Sequence, residues 1–444
     1  MKKRLMILLA MSMILASGCG SSSNSGNGAG SQAAEAQQET TAQETTAQET
    51  EAEAAAEETE GSEEAEKTEG TEAAAEAADT GAAESAESEE ASTAEAAEAA
   101  EEEETEGNPN EDLEGELVIY TSMYPFAIDM MDEALKKEFP NLTPGNDGSF
   151  FFYSGTSALI TKIYGEMGDN KDQPLDCDMF MVAEPAFSLE LKDYGYLYPF
   201  EVENADELLR FDYDEEGYWY PIRVLNMCLA YNPEMEDEWA AKGVNIPKSF
   251  KDFAYDPSLK GYISMSDPMT SGSAYASVVS LIDTYGEEYL DKLNENKVMR
   301  ESGSTAIAKL QSGECAAIMI LEESILKYIN DEEEKGNDVT NLQVIYPEDG
   351  VILIPSTVMI VAEEYSKNVN TEAAEAVANW MLTEEAQEII MQAYMHSVLA
   401  SETNFPKHSI DTNKLIEMDM GVDWNKAYKD REKINNLWTE KVTQ

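Results

Sequence analysis

A chain of 444 residues leaves room for two or three domains. Its formal net charge of −61, from 90 Asp and Glu against 29 Lys and Arg, disfavours a nucleic-acid partner, whose phosphate backbone it would repel. Only two histidines, His396 and His408, are present, and no cysteine spacing suits a metal. Zinc chemistry and a Ser-His-Asp triad are therefore poorly supplied, and no metal, no cofactor and no enzymatic role are expected.

The opening segment, MKKRLMILLAMSMILASGC, sets Lys2, Lys3 and Arg4 before an apolar stretch from Leu5 to about Ala16. That stretch is too short to span a bilayer comfortably and ends in small residues before Cys19. It resembles a bacterial lipoprotein signal peptide, residues 1–18, with its lipobox; Ala16 departs from the commonest pattern. The resemblance implies that Cys19 is the lipid attachment and that the protein sits on the extracellular face of the cell membrane. Residues 19–112 are mainly Ala, Glu, Thr, Ser and Gly, with almost nothing to bury, so a disordered acidic tether is expected. About 90 flexible residues would span roughly 50–60 Å, and more with charge repulsion.

From Leu113 the pattern is globular α/β. GELVIYTS reads as a buried strand, and FAIDMMDEALKKEFP as a helix with Ile128, Met131, Leu135 and Phe139 on one face. FFFYSGTSALITKIYGEMG predicts a strand running into a helix that ends at Gly168, and CDMFMVAE predicts another strand. LNMCLAYNP and GYISMSDP continue the series, followed by helices from about Ser273 and at GSTAIAKLQSGE, then the strand CAAIMIL. LQVIYPEDG and VILIPSTVMIVAEE predict a pair of strands, and the last hundred residues are helical. Strands alternating with helices predict a mostly parallel sheet, and some 330 such residues exceed one core, so two α/β lobes are expected. Cys177, Cys228 and Cys315, each in an apolar strand context, read as buried free thiols.

Three helix starts share one chemistry. Ser154, Gly155, Thr156 and Ser157 form the first; Thr270, Ser271, Gly272 and Ser273 the second; Gly303, Ser304 and Thr305, after Ser302, the third. Each offers backbone N–H groups, hydroxyls and a glycine at the positive end of a helix, where anions bind without a formal cation. Thr121 and Ser122 lie at the carboxyl end of the first strand, where open α/β sheets bind ligands. Any one such start is an ordinary cap by itself. Glu184 and Asp267 are candidate acceptors for sugar hydroxyls or an amine.

Taken in order, GELVIYTS, YSGTSALITKIYGE, CDMFMVAE, LKDYGYLYPF, MCLAYNP, SDPMTSGSAY, GSTAIAKLQSGECAAIMI, VIYPEDG and VANWMLTEEAQEI resemble the extracellular solute-binding proteins of bacterial ABC importers. The resemblance is to the type 2 periplasmic-binding-protein cluster that serves ferric iron, sugar phosphates, aminophosphonates, thiamine and polyamines, and it covers Leu113 to about Ser401. It implies a two-lobe fold with an interlobe cleft. The first lobe is expected at residues 113–224 and 351–382, and the second at 225–350 and 383–444, with the C-terminal helices packed on it. It further implies a monomer that closes on a small-molecule ligand and is recognised by a membrane permease.

Ferric-binding members use an adjacent tyrosine pair, which this chain lacks: Tyr275 and Tyr285 are isolated, and Trp219 separates Tyr218 from Tyr220. A polyamine ligand would draw on Tyr124, Tyr153, Trp219, Glu184, Glu322 and Glu323. The hydroxyl-and-glycine helix starts favour a tetrahedral oxyanion, a sugar phosphate or a phosphonate, with Arg223 near the lobe crossing as an added charge. A hydrolase in the same cleft, or a binding protein feeding a sensor kinase, is the reading from another class.

Overall fold

The computed structural model describes residue 108 and residues 110–442. The signal peptide, Cys19 and most of the tether lie outside the described residues. The described residues begin within the last few of the expected tether. Asn108 donates to the Glu138 carbonyl at 2.5 Å and Asn110 to the Glu138 carboxylate at 2.7 Å. Both Asn side chains thereby satisfy acceptors at a helix C-terminus that has free carbonyls.

β1 (Gly115–Leu117) and β2 (Ile119–Thr121) lead to α1 (Pro125–Glu138), which buries Ile128, Met131 and Leu135 as its spacing predicts. Next come β3 (Leu142–Pro144), β4 (Phe151–Tyr153), α2 (Thr156–Met167), β5 (Met179–Ala183), α3 (Pro185–Asp193), β6 (Leu197–Tyr198) and α4 (Ala205–Leu208). The long β7 (Tyr220–Tyr231) precedes α5 (Glu236–Ala241), α6 (Phe250–Tyr255), β8 (Ile263–Met265), α7 (Gly272–Tyr285), α8 (Glu288–Glu295) and β9 (Met299–Arg300). α9 (Gly303–Gln311), β10 (Ala317–Leu321), α10 (Glu322–Glu334) and β11 (Gln343–Ile345) follow. β12 (Ile352–Val361) returns, then α11 (Thr371–Trp380), α12 (Glu384–Gln392), α13 (Thr412–Met418), α14 (Trp424–Lys429) and α15 (Arg431–Val442).

The main sheet runs β4-β2-β5-β12-β7-β10-β8-β9, with β6 on β12 and β11 on β7. Its flanks, β4-β2-β5 and β10-β8-β9, are parallel, as βαβ crossovers require. Its centre is not. β12 is antiparallel to β5, β6 and β7, and β7 is antiparallel to β10 and β11, which corrects the expectation of a mostly parallel sheet. LQVIY and VILIPSTVMIV also do not pair with each other; each pairs with β7. The reason is common to both corrections. β7 and β12 are two long strands that pass between the lobes in opposite directions, one flank joining each half.

β7 and β12 register from Ile352 opposite Met227 to Val358 opposite Tyr220, with a slip between Ser356 and Thr357. Pro221 and Pro355 lie beside that slip, where a residue without an N–H is tolerated. The core is divided accordingly. Leu159, Ile163, Phe180, Phe187 and Met359 pack on one side, and Leu310, Ile318, Ile320 and Ile325 on another. A larger cluster that includes Met131, Val224, Val279 and Ile354 runs through both. Cys177, Cys228 and Cys315 are buried free thiols.

The C-terminal helices pack on several neighbours. α12 packs on α1, α11 on β12, α15 on α8, and α14 bridges α3 and α7. Gly350, at the entry to β12, has φ +120°, and a Cβ there would meet the Met418 carbonyl oxygen at 2.5 Å. Gly350→Ala is therefore expected to destabilise by about 1–3 kcal/mol, seen as a lower denaturant midpoint with unchanged slope. A midpoint equal to wild type would contradict this placement of the strand.

Candidate functional site

Strands that end at one level of a sheet deliver the helices after them to one place. Ser122 and Tyr124 from the β2–α1 turn meet Tyr153, Gly155 and Thr156 from β4–α2 around a cavity of about 180 Å³. Thr270, Ser271 and Ser273 arrive from β8–α7, and Leu321 and Glu323 from β10–α10. Ala183 of β5 and Arg223 and Leu225 of β7 complete the wall.

Tyr124, Gly155, Ser271 and Leu321 are the N-caps of α1, α2, α7 and α10. Four helices of 14, 12, 14 and 13 residues thus start at one cavity, each contributing about half a positive charge at its N-terminus. Their caps differ. Ser271 Oγ accepts from the Ala274 N–H at 3.3 Å and sits 3.1 Å from Ser273 Oγ, so α7 partly satisfies its own first turn. Gly155 has no side chain to cap α2. The first-turn N–H groups of Thr156, Ser157 and Ala158 consequently lack an intrahelical acceptor.

Arg223 lies beside the slip in β7, the kind of irregularity that re-aims a side chain. It is 2% exposed, its Nε has no partner, and among the described residues it forms no ion pair. Its Nη1 rests on Met395 Sδ at 2.6 Å. Burial holds its pKa down to about 10, which leaves it charged near neutrality. Glu323, also 2% exposed, has an Oε1 without a partner. Burial pushes its carboxyl up to about 7, offset in part by its own backbone N–H and by Arg223. Both are costly buried groups that a ligand would satisfy.

Of the residues expected at a site, Ser122, Gly155, Thr156, Thr270, Ser271 and Ser273 line the cavity. The others do not line it, and Glu184 keeps a buried Oε2 without a partner. Thr121 Oγ1 accepts from the Met123 N–H, Ser154 N–H donates to the Thr121 carbonyl, and Ser157 Oγ donates to the Met269 carbonyl at 3.0 Å. Asp267 is taken by Arg300 at 3.1 Å and by the Met269 N–H at 2.9 Å, so it shapes the turn that presents Thr270. Glu184 is fully buried at φ 91°, and its Oε1 pairs with Arg431 at 2.6 Å. Burial raises its carboxyl to about 6, with Arg431 opposing. The third helix start does not converge. β9 is the edge strand, so α9 begins away from the cavity, and the Ser302 hydroxyl is shared among Ser304, Thr305 and the Thr305 N–H.

Arg223, expected as an added charge for an oxyanion, stands in the wall, as do Glu323, Tyr124 and Tyr153, which sequence reasoning had set aside for a polyamine ligand. An arginine inside the apolar strand YPIRVLNMCLAY is a legible signal. Two glutamates opening a helix look like ordinary dipole partners, and give none. A wider groove of about 960 Å³, lined by Glu334, Glu384, Glu385, Glu388 and Glu402, lies between α10, α12 and the segment after residue 400. Its walls are mainly acidic, and the helix start on it, that of α12, carries Glu384 and Glu385 in its first turn, which disfavours an anion there.

The two sides of the cavity touch at their rims. Ser157 reaches Met269, and a Cβ on Gly272 would lie 2.8 Å from Thr156 Cγ2, so α2 and α7 approach closely only because residue 272 is glycine. Arg431 adds a second link, pairing with Glu184 while stacking 4.7 Å from the Tyr275 ring.

Residues 177–428 match the model of the bacterial extracellular solute-binding proteins. The chain belongs to that family. A Haemophilus influenzae relative named only as an uncharacterized protein is 22% identical over 339 residues, 74% of this chain and 91% of the relative. Among solved structures, the periplasmic binding protein P5PA is 21% identical with a TM-score of 0.60, over 74% of this chain and 100% of its own. AfuA from Actinobacillus pleuropneumoniae, with fructose-6-phosphate bound, is 20% identical with a TM-score of 0.60, over 74% and 99% of the two chains. Iron-bound HitA from Pseudomonas aeruginosa is 20% identical with a TM-score of 0.60, over 73% and 99%. These likenesses establish the two-lobe periplasmic-binding-protein fold, and the cavity of this binding protein lies between the lobes.

Gly272→Ala tests the rim contact. Crowding of this kind costs about 1–3 kcal/mol, borne by the closed arrangement of the lobes. Ligand affinity should fall about tenfold while the melting temperature without ligand changes little; unchanged affinity would show that α2 and α7 need not meet.

Proposed function

We propose that this protein captures a small phosphorylated or phosphonate-type anion between its lobes and presents it to an ABC permease, held to the outer face of the membrane through Cys19. The observation that carries the reading is the meeting of four helix N-termini and the buried, unpaired Arg223 on one cavity. A tetrahedral oxyanion can accept the free N–H groups at Thr156 and its neighbours, the Ser273 hydroxyl and the Arg223 guanidinium together. The cavity of about 180 Å³ is open on one side and has room for a phosphoryl group and a short carbon chain. Bound fructose-6-phosphate in AfuA is consistent with such a ligand.

An iron reading has less behind it. Tyr275 on α7 is buried and donates to the Ala427 carbonyl at 2.5 Å, and Tyr285 donates to Asp349. Among the described residues no group of three His, Cys, Asp or Glu is placed to share a metal. Function follows from closure: a ligand that contacts both lobes stabilises the closed arrangement, the form a permease would recognise.

In a thermal-shift screen, phosphate esters or phosphonates should raise the melting temperature, while spermidine and ferric citrate should not. Arg223→Met should weaken binding of the best anion about ten- to hundredfold, the worth of a charge-assisted hydrogen bond. Stabilisation by spermidine or ferric citrate alone would overturn the reading.

A further inference from the structure

The cavity that is rich in positive dipole also contains a carboxylate, and an anion site has no evident use for one. Glu323 sits at the second position of α10, lines the cavity together with Gly155, Thr156 and Arg223, and has a buried Oε1 without a partner. The groups around it are Arg223 from β7, Tyr124 at the start of α1, Tyr153 at the end of β4, Cys228 on β7 and Glu322 on its own helix. None can neutralise it by a direct bond. Arg223 is not within ion-pair distance, and Glu322 is held by Asn226 at 2.8 Å, Ser409 at 2.6 Å and His396 at 3.1 Å. An ionised Glu323, itself only 2% exposed, would face a bound oxyanion, like charge to like charge.

We propose that Glu323 contacts the bound oxyanion as a carboxylic acid, its O–H donating to an anion oxygen, so that anion and proton enter the site together. This deepens the anion-capture reading and rests on it. When the carboxylate is ionised beforehand, the balance is one oxyanion plus one proton from water giving an acid–anion hydrogen bond, with no bond in the ligand broken. Burial has already brought the Glu323 carboxyl up to about 7, and a neighbouring anion raises it further, so the proton is inexpensive near neutrality. Below that range the acid is present and affinity is flat. Above it each bound anion must draw a proton from water, and affinity falls by up to about tenfold per pH unit.

Inorganic sulfate is the direct ligand for the test because its charge is fixed across the neutral range, so any pH dependence belongs to the protein. Titration calorimetry on the full chain, between about pH 6 and about pH 8.5, should give weaker sulfate binding at the higher pH. Repeating it at the higher pH in buffers of different ionisation enthalpy should show uptake of about one proton. Glu323→Gln, which keeps an N–H donor but exchanges no proton, should flatten the pH profile. A pH-independent wild-type affinity, an affinity that rises with pH, or an unchanged slope in Glu323→Gln would each overturn the proposal while leaving the anion site standing. If the variant does not fold, proton uptake by the wild type decides alone. No binding of sulfate, inorganic phosphate or methyl phosphate at any pH would remove the anion reading and this proposal with it.

Discussion

The pairing of β7 with β12 is the constraint on which the remaining geometry depends. These strands of 12 and 10 residues run antiparallel through the middle of the sheet, and each lobe adds its own parallel flank to one end of the pair. Because the flanks are parallel, β2 and β4 on one side and β8 and β10 on the other release their helices toward the shared cleft. The slip between Ser356 and Thr357, flanked by two prolines, falls where the strands cross and beside Arg223. One strand pair therefore joins the lobes, fixes where the helix starts meet, and places a buried cation at their meeting point.

The electrostatics of the molecule are local rather than global. A chain of net charge −61 offers no long-range attraction to an anion. Inside the cleft the fixed dipoles of four helix ends and the buried Arg223 guanidinium act at short range, where they outweigh the distant net charge. Internal capping sets the division of labour. α9 satisfies its own first turn and lies off the cavity, α7 satisfies part of its turn, and α2, capped by a glycine, keeps its amides for the ligand. Glu184 pairs through Oε1 with Arg431, and Glu322 is held by Asn226, Ser409 and His396, whereas Glu323 is the carboxylate among the residues that line the cavity.

Much of this was legible in the residues. Apolar spacing located α1, α2 and α7, and the hydroxyl-and-glycine starts at Gly155 and Ser271 turned out to share a cavity. Local grammar could not say which of three similar starts converge, because that depends on strand order: β8 lies beside β10, whereas β9 lies at the edge. The same blindness to order produced the wrong partner for LQVIY, whose apolar run says strand but not neighbour. Asp267 and Glu184 were plausible ligand contacts until their partners were known, since Arg300 and Arg431 are far away in sequence and close in space. Glu323 was read only as a contact for a cationic ligand, because an acidic residue in a first helical turn gives no sign that it faces an anion cavity.

The central claim is that the cleft is a cradle for a tetrahedral oxyanion. Anomalous diffraction from crystals soaked in selenate tests it most directly, since selenate has the geometry of phosphate and sulfate and a scatterer at its centre. The account predicts one strong peak in the cavity, within hydrogen-bond reach of the Thr156 and Ser157 amides, the Ser273 hydroxyl and the Arg223 guanidinium. A cavity without selenate, or one holding a cation against Glu323 and Tyr124, would contradict it.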